Sequence, residues 1–148
     1  MNGLLIEDDP DKAKKIIDFI NANFQYCSIT HRLSYQSGLK ELFSIDFDFL
    51  LLDMSLPSYD QGHGSYAGKP RNFGGRDILK EMKRYNKSAR VKIITQYNEF
   101  DGGLVSMKDL DEELKNKYAS LYDGYIIYSS SRSDWENELK IYLNTFSK

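Results

Sequence analysis

Acidic residues stand directly after two short apolar runs. Glu7-Asp8-Asp9 follows Leu4-Leu5-Ile6, and Asp53 closes the run from Phe47 to Leu52. Two further runs end in hydroxyl-bearing residues: Val91-Lys92-Ile93-Ile94 leads into Thr95-Gln96, and Tyr125-Ile126-Ile127 into Tyr128-Ser129. Carboxylates gathered at one place repel one another unless a cation offsets them. Hard oxygen donors suit Mg²⁺, which is commonly held by a few carboxylates, waters and a phosphate. An aspartate carboxylate is also a nucleophile toward phosphoryl groups. A metal beside it, with a hydroxyl such as that of Thr95, would stabilise the phosphoryl oxygens. Taken singly, Asp8 or Asp9 could do no more than cap a following helix.

For these residues to meet, the apolar runs must be strands of one sheet, and the intervening segments fit that requirement. Asp9 is placed as an N-cap, with Pro10 at the first helical position and Ala13, Ile16, Ile17 and Ile20 at helical spacing. Tyr26 to Thr30 reads as a second strand, and Gly38-Leu39 with Leu42-Phe43 as a short helix after Ser34. Ile78, Leu79, Met82 and Tyr85 mark a third helix. Met107, Leu110, Leu114, Tyr118 and Leu121 mark a fourth, preceded by Gly102-Gly103. The last helix opens on Ser133-Asp134-Trp135-Glu136, a capping-box pattern, with Trp135, Leu139, Tyr142, Leu143 and Phe146 on one face. Five strand-then-helix units imply a doubly wound α/β domain, a parallel sheet with helices on both faces. Ligands of such sheets bind at the carboxyl ends of the strands, where strand order reverses. The segment 58–75, rich in Gly, Ser, Tyr and Pro, is too long for a routine connection.

Composition narrows the function classes. The 148 residues fit one domain, and a hydrophobic share of 41% supplies a core. A net charge of −2 argues against broad electrostatic capture of nucleic acid or anionic membrane. The single cysteine, Cys27, excludes an internal disulfide framework and a multi-cysteine zinc site, and it reads as a small core residue. No signal-peptide pattern and no membrane-length apolar run is visible, so a soluble, cytoplasmic, single-domain protein is expected.

With these residues in place, the chain resembles a response-regulator receiver domain of two-component phosphorelay systems. Leu4-Leu5-Ile6-Glu7-Asp8-Asp9-Pro10 is similar to the family's opening, and Leu50-Leu51-Leu52-Asp53-Met54-Ser55-Leu56-Pro57 to its phosphoacceptor segment. Gly75-Arg76-Asp77-Ile78-Leu79 resembles the start of the third helix, Ile93-Ile94-Thr95 the fourth strand, and Tyr125 falls at the aromatic switch position. The resemblance spans essentially the whole chain. It implies a flavodoxin-like sheet in the order 2-1-3-4-5. Asp53 would accept phosphate from a histidine kinase or phosphotransfer protein, and Mg²⁺ would be held by Asp8, Asp9, Asp53 and the backbone carbonyl of Ser55. Thr95 and Tyr125 would couple the phosphate to the face made by the fourth helix, fifth strand and fifth helix, where a downstream protein binds. Such a chain is at most a weak, self-resetting enzyme, phosphorylated from small donors and dephosphorylating itself.

Several features depart from the family pattern. The family carries a lysine at the end of its fifth strand, and here Tyr128 stands at that position. A neutral phenol cannot replace an ammonium. Arg132, Lys69 or Arg71 could reach back to supply the charge. Gln96 follows Thr95 where the family has a small residue, and the 58–75 insertion follows the acceptor directly. Two functions stay open: a phosphorylated stand-alone receiver that signals by contact, and a pseudo-receiver interaction module without a phospho-switch. A Mg²⁺-dependent aspartyl phosphatase of the haloacid dehalogenase type wants a second aspartate two residues after the first, where Ser55 stands. Gly64 to Lys69 looks like a P-loop but is one residue short and runs into Pro70, so its glycines read as turn residues. His31 and His63 are too isolated for a metal site. Eleven tyrosines could mark a partner surface, although core filling accounts for most of them. Lys12, Lys14 and Lys15, balanced by nearby aspartates, read as a solvated helix face.

Overall fold

A computed structural model of the chain describes residues 1–60 and 70–147. The elements run β1 (Asn2–Ile6), α1 (Pro10–Asn23), β2 (Ser28–Arg32), α2 (Tyr35–Ser44), β3 (Phe49–Leu52), α3 (Gly74–Arg84) and β4 (Arg90–Thr95). A small hairpin follows, β5 (Glu99–Phe100) and β6 (Val105–Ser106), then α4 (Met107–Lys117), β7 (Tyr122–Ile127) and α5 (Asp134–Asn144). The main sheet is parallel throughout, in the order β2-β1-β3-β4-β7. With β7 counted as its fifth strand, that is the expected order 2-1-3-4-5. Strand order reverses between β1 and β3, so the carboxyl ends of those two strands flank the switch point.

The inner strands are buried on both faces, which is why they read as continuous apolar runs. Leu4, Ile6, Leu50, Leu52, Val91 and Ile93 pack with Leu42, Ile78, Leu79, Met82, Leu110 and Leu114 of α2, α3 and α4. Leu5, Phe49, Leu51, Ile94 and Ile126 pack with Ile16, Ile20, Trp135, Leu139 and Leu143 of α1 and α5, and Cys27 lies in this second layer. The helix that follows β1 starts where the residues before Pro10 say it should. Asp9 Oδ1 accepts hydrogen bonds from the Asp11 and Lys12 amides at 3.0 and 3.3 Å.

Several elements differ from the sequence reading; α4 stops at Lys117, short of Tyr118 and Leu121, and β7 starts at Tyr122, three residues before Tyr125. The second strand lies two residues later than expected, at Ser28–Arg32. The hairpin β5–β6 was not foreseen, because two-residue strands leave no periodicity. Its turn runs through Asp101, Gly102 and Gly103, all at positive φ, where glycine costs least. Buried Phe100 anchors the hairpin on Phe73, just before α3. The expected capping box on Ser133 is not formed, since its ψ of 10° is not the extended backbone that an N-cap needs. The box occurs instead at α2, where Ser34 and Ser37 bond each other's amides.

The 58–75 insertion is described at its base. Leu56 and Arg71 exchange two backbone hydrogen bonds, and Asp60 Oδ1 accepts from the Ser34 and Ser37 hydroxyls at 2.6 and 2.7 Å. His63, Lys69 and the whole P-loop-like stretch 64–69 lie in residues 61–69, outside the described residues. Gly75 brings the first turn of α3 against the acceptor strand. Its amide donates to the Met54 carbonyl, and a Cβ there would stand 2.8 Å from the Asp53 carbonyl oxygen. Among the described residues, no helix is long and apolar enough to cross a membrane.

Candidate functional site

Asp53 follows β3 directly and is buried at the carboxyl end of the sheet. Its Oδ1 accepts from the Met54 amide at 2.7 Å. Its Oδ2 accepts from Lys12 Nζ at 2.9 Å. Lys12 comes from the first turn of α1 and is 1% exposed, so the helix turns an ammonium inward, away from water. The same Nζ lies 2.5 Å from Glu7 Oε1 and donates to the Ile94 carbonyl at 2.8 Å. Two of its protons go to Asp53 Oδ2 and the Ile94 carbonyl, and Glu7 Oε1 meets it as a close ion pair without an aligned hydrogen bond. These partners from three strand ends are what make a buried lysine tolerable.

The acid that shares the ammonium with Asp53 is Glu7. Glu7 is buried, and its Oε2 accepts from the Asp9 amide at 3.0 Å. Desolvation raises its carboxyl to about 7, with the nearby Asp53 charge adding to the rise and Lys12 opposing it. Burial alone would lower Lys12, but Asp53 and Glu7 more than reverse that, and its ammonium is held above the usual range. Asp8, exposed at the rim, is also pushed up, because protein around its carboxyl strips part of its water and Asp53 adds a like charge. Asp9 is committed elsewhere. Its Oδ1 caps α1, and its Oδ2 accepts from Gln96 Nε2 at 3.3 Å.

Lys12 therefore corrects the reading of Lys12, Lys14 and Lys15 as one solvated face. Only Lys14 and Lys15 are exposed. The sequence held the signal: Lys12, Ile16 and Ile20 are spaced four apart and lie on one buried stripe. Arg71 does not reach the acceptor. It stacks on the Tyr35 ring at 3.9 Å and pairs with Asp77 at 3.2 Å. Arg132 is exposed on the cleft between α1 and α5.

Tyr128 follows β7 directly and is 3% exposed, its ring 5.1 Å from that of Trp135. Lys12 Nζ lies 5.7 Å from the Tyr128 ring centroid, within cation–π range. Burial, with Asp9 adding to it, raises the Tyr128 hydroxyl above its usual range, so the phenol is neutral. Thr95 is fully buried at the end of β4. Its carbonyl accepts the Tyr128 amide at 2.8 Å, and its hydroxyl accepts from the Tyr97 amide at 3.4 Å. Tyr125 is half-buried on β7, packed against the α2–α3–α4 layer. An open cleft of about 370 Å³ lined by Asp9, Lys12, Gln96 and Tyr128 leads toward the ammonium.

No family model matches the chain. The chain is 28% identical over 143 residues to the Detocs response regulatory protein DtcB of Enterobacter cloacae, covering 94% of this chain and 95% of that one. It also superposes on a two-component response regulator from Clostridium difficile, with a TM-score of 0.63, 19% identity and coverage of 100% and 99% of the two chains. The fold is that of response-regulator receiver domains. A second receiver-fold structure, the response regulator TrrA of Thermotoga maritima in complex with Mg²⁺-BeF, gives a TM-score of 0.58, 17% identity and coverage of 97% and 96%. On this receiver fold, the structure brings Asp53, Glu7 and Lys12 together, leaves Asp8 at the rim and turns Asp9 to the helix.

The oxygen donors near Asp53 fit a hard divalent cation in their chemistry. Among the described residues, no three acidic, histidine or cysteine side chains close on one point. A cation would therefore be held by few protein oxygens and several waters, which is the usual arrangement for Mg²⁺.

Proposed function

We propose that this chain is a phosphorylatable receiver whose acceptor is Asp53. The observation that carries the reading is the buried Asp53 carboxylate, held by a buried ammonium at the switch point of a receiver fold. A nucleophile at that place must be held in position and charge-compensated, and here the Met54 amide and the Lys12 ammonium each hold one carboxylate oxygen. An Asp53 carboxylate oxygen attacks the phosphorus of a phosphohistidine or a small acyl phosphate. The new P–O bond forms as the donor's bond to phosphorus breaks, and the imidazole or carboxylate leaves with its electron pair. Reset is hydrolysis: water takes the phosphoryl group as inorganic phosphate, a proton is released, and the Asp53 carboxylate returns.

Asp8, Asp53 and the Ser55 carbonyl are the residues that would hold Mg²⁺, with Glu7 behind them. When bound, the ion would supply positive charge against the incoming phosphoryl oxygens. Thr95 stands at the neighbouring strand end to bond a phosphoryl oxygen, and Tyr125 lies on the strand between α4 and α5. A change at Thr95 would therefore reach a protein-binding face made by α4, β7 and α5. The response-regulatory name of the Enterobacter relative supports a signalling role.

The test is incubation of the protein with Mg²⁺ and acetyl phosphate beside Asp53→Ala, followed by intact mass. A phosphoryl adduct on the wild type that is absent from the variant is expected. An unmodified wild type, with a control receiver labelled in the same mixture, would overturn the proposal and leave an interaction module without a phospho-switch.

A further inference from the structure

We infer that Lys12 is the counter-charge of the acceptor, supplied from helix α1, and that Tyr128 occupies the space from which a strand-borne lysine would otherwise reach. The inference rests on the proposed role of Asp53 and assigns the phosphate-side cation to this site.

Four observations converge. Among the described residues, Lys12 is one of the largest fully buried side chains, although it is charged. Its ammonium contacts both buried acids of the site, Asp53 at 2.9 Å and Glu7 at 2.5 Å. It also bonds the Ile94 carbonyl, one residue before Thr95, so it is fixed against β4 as well as β3. The Tyr128 ring then stands 5.7 Å from it and is itself packed on Trp135, which closes the side of the site where β7 ends. A surface helix lysine has no reason to lose its water unless its partners hold it. A phosphoryl group on Asp53 would add negative charge beside an ammonium already in hydrogen-bond reach. The attraction grows as charge builds in the transition state, which is the condition for lowering a barrier. Lys12 also offsets Glu7 and Asp53 before any metal arrives, so it competes with a divalent cation for the same field.

Two consequences separate this role from mere packing. Removing the ammonium slows labelling, and restoring an ammonium from the other side of the site brings it back. Removing it also strengthens Mg²⁺ binding, because the acids lose their resident counter-charge.

The test compares wild type, K12M, K12Q and the relocated-charge variant K12M/Y128K, each with its thermal midpoint recorded. Labelling by acetyl phosphate is followed by intact mass, and Mg²⁺ affinity by calorimetry on the unphosphorylated protein. Expected are a loss of at least about tenfold in labelling rate for K12M, recovery to within about threefold of wild type in K12M/Y128K, and Mg²⁺ affinity several-fold tighter in K12M than in wild type. If K12M fails to fold, K12Q, which can still donate to the Ile94 carbonyl, is read in its place with the same expected loss. Labelling of K12M at the wild-type rate would overturn the inference. So would a folded K12M/Y128K that stays as slow as K12M, or a Mg²⁺ affinity that does not rise. A wild type that takes no phosphoryl group removes the acceptor role of Asp53 and leaves the Mg²⁺ comparison to decide whether Lys12 is the site's counter-charge.

Discussion

Where β4 begins, Arg90 grips both carboxylate oxygens of Asp123 on β7, and the Tyr142 hydroxyl donates to Asp123 Oδ2 at 2.8 Å. Lys92 Nζ adds a bond to the Asp123 carbonyl at 3.0 Å. Where β1 and β3 end, at the opposite edge of the same sheet, Glu7 and Asp53 share the single ammonium of Lys12, with Asp8 at the exposed rim. At the first edge one carboxylate has a guanidinium and a phenol, with a lysine on its own backbone carbonyl, and its side chains keep contact with water, Arg90 at 36% and Asp123 at 23% exposure. At the second the acids outnumber the cation, and the ion pair is almost wholly out of water. A saturated, wet cluster fastens two strands and has nothing left to offer. An under-neutralised, dry one keeps an unmet demand for positive charge next to a nucleophilic oxygen, which is where phosphoryl chemistry can be supported.

The largest effect expected from this contrast is on stability. Lys12→Ala leaves two buried acids facing each other without a cation, and breaking such a pair costs about 3–5 kcal/mol. Urea unfolding measures it, and adding Glu7→Gln to Lys12→Ala should recover part of the loss by removing one of the stranded charges. A loss below about 1 kcal/mol would mean that water already reaches the pair, and the difference between the two edges would vanish.

The pH dependence sharpens the same contrast. Glu7 is raised by burial from 4.5 to about 7, so between those values the folded chain binds more protons at this residue than the unfolded chain does. Stability contributed here therefore falls as pH rises from 4.5 through 7, by roughly 3–4 kcal/mol in total at 1.4 kcal/mol for each unit. The raised Lys12 acts only above its ordinary value, outside this window. Glu7→Gln should show a flatter stability profile than wild type from pH 4.5 to 7. Parallel profiles would mean that Glu7 ionises alike in both states.

At the other edge, Asp123→Ala removes the shared acceptor of Arg90 and Tyr142. A cost of about 1–3 kcal/mol is expected, since a part-buried donor network loses its centre. Labelling of Asp53 should be unchanged within about twofold, because the two clusters share no partner. A tenfold loss of labelling in a folded Asp123→Ala would show that the edges are coupled and that their separation into fastening and chemistry is mistaken.

What could be seen in the sequence follows from how much each signal depends on neighbours along the chain. The inner strands were legible because burial on both faces makes uninterrupted runs such as Phe49–Leu52. The start of α1 was legible because Asp9 and Pro10 act locally. That same cap occupies one oxygen of Asp9, while Glu7 turns inward onto Lys12, a difference that only the orientation at the end of β1 reveals. Lys12 was hidden by its charge, since a lysine beside Lys14 and Lys15 suggests water. Its four-residue step to Ile16 and Ile20 pointed inward all along. The hairpin β5–β6 had a turn signal in Asp101-Gly102-Gly103 but no strand long enough to show alternation.

The smallest expected effect tests that contrast within one helical turn. Lys14 pairs with Asp18 at 2.5 Å, four residues on, with the two side chains 74% and 61% exposed. Water screens such a pair, and holding two long side chains in one geometry offsets most of the gain. Lys14→Ala should change stability by no more than about 0.5 kcal/mol in urea unfolding and leave Asp53 labelling as it is in wild type. Lys12 and Lys14 are two residues apart and carry the same charge, so a difference of several kcal/mol between their alanine variants would come from where α1 turns each one. Equal small effects would return Lys12 to the solvated face on which its neighbours lie.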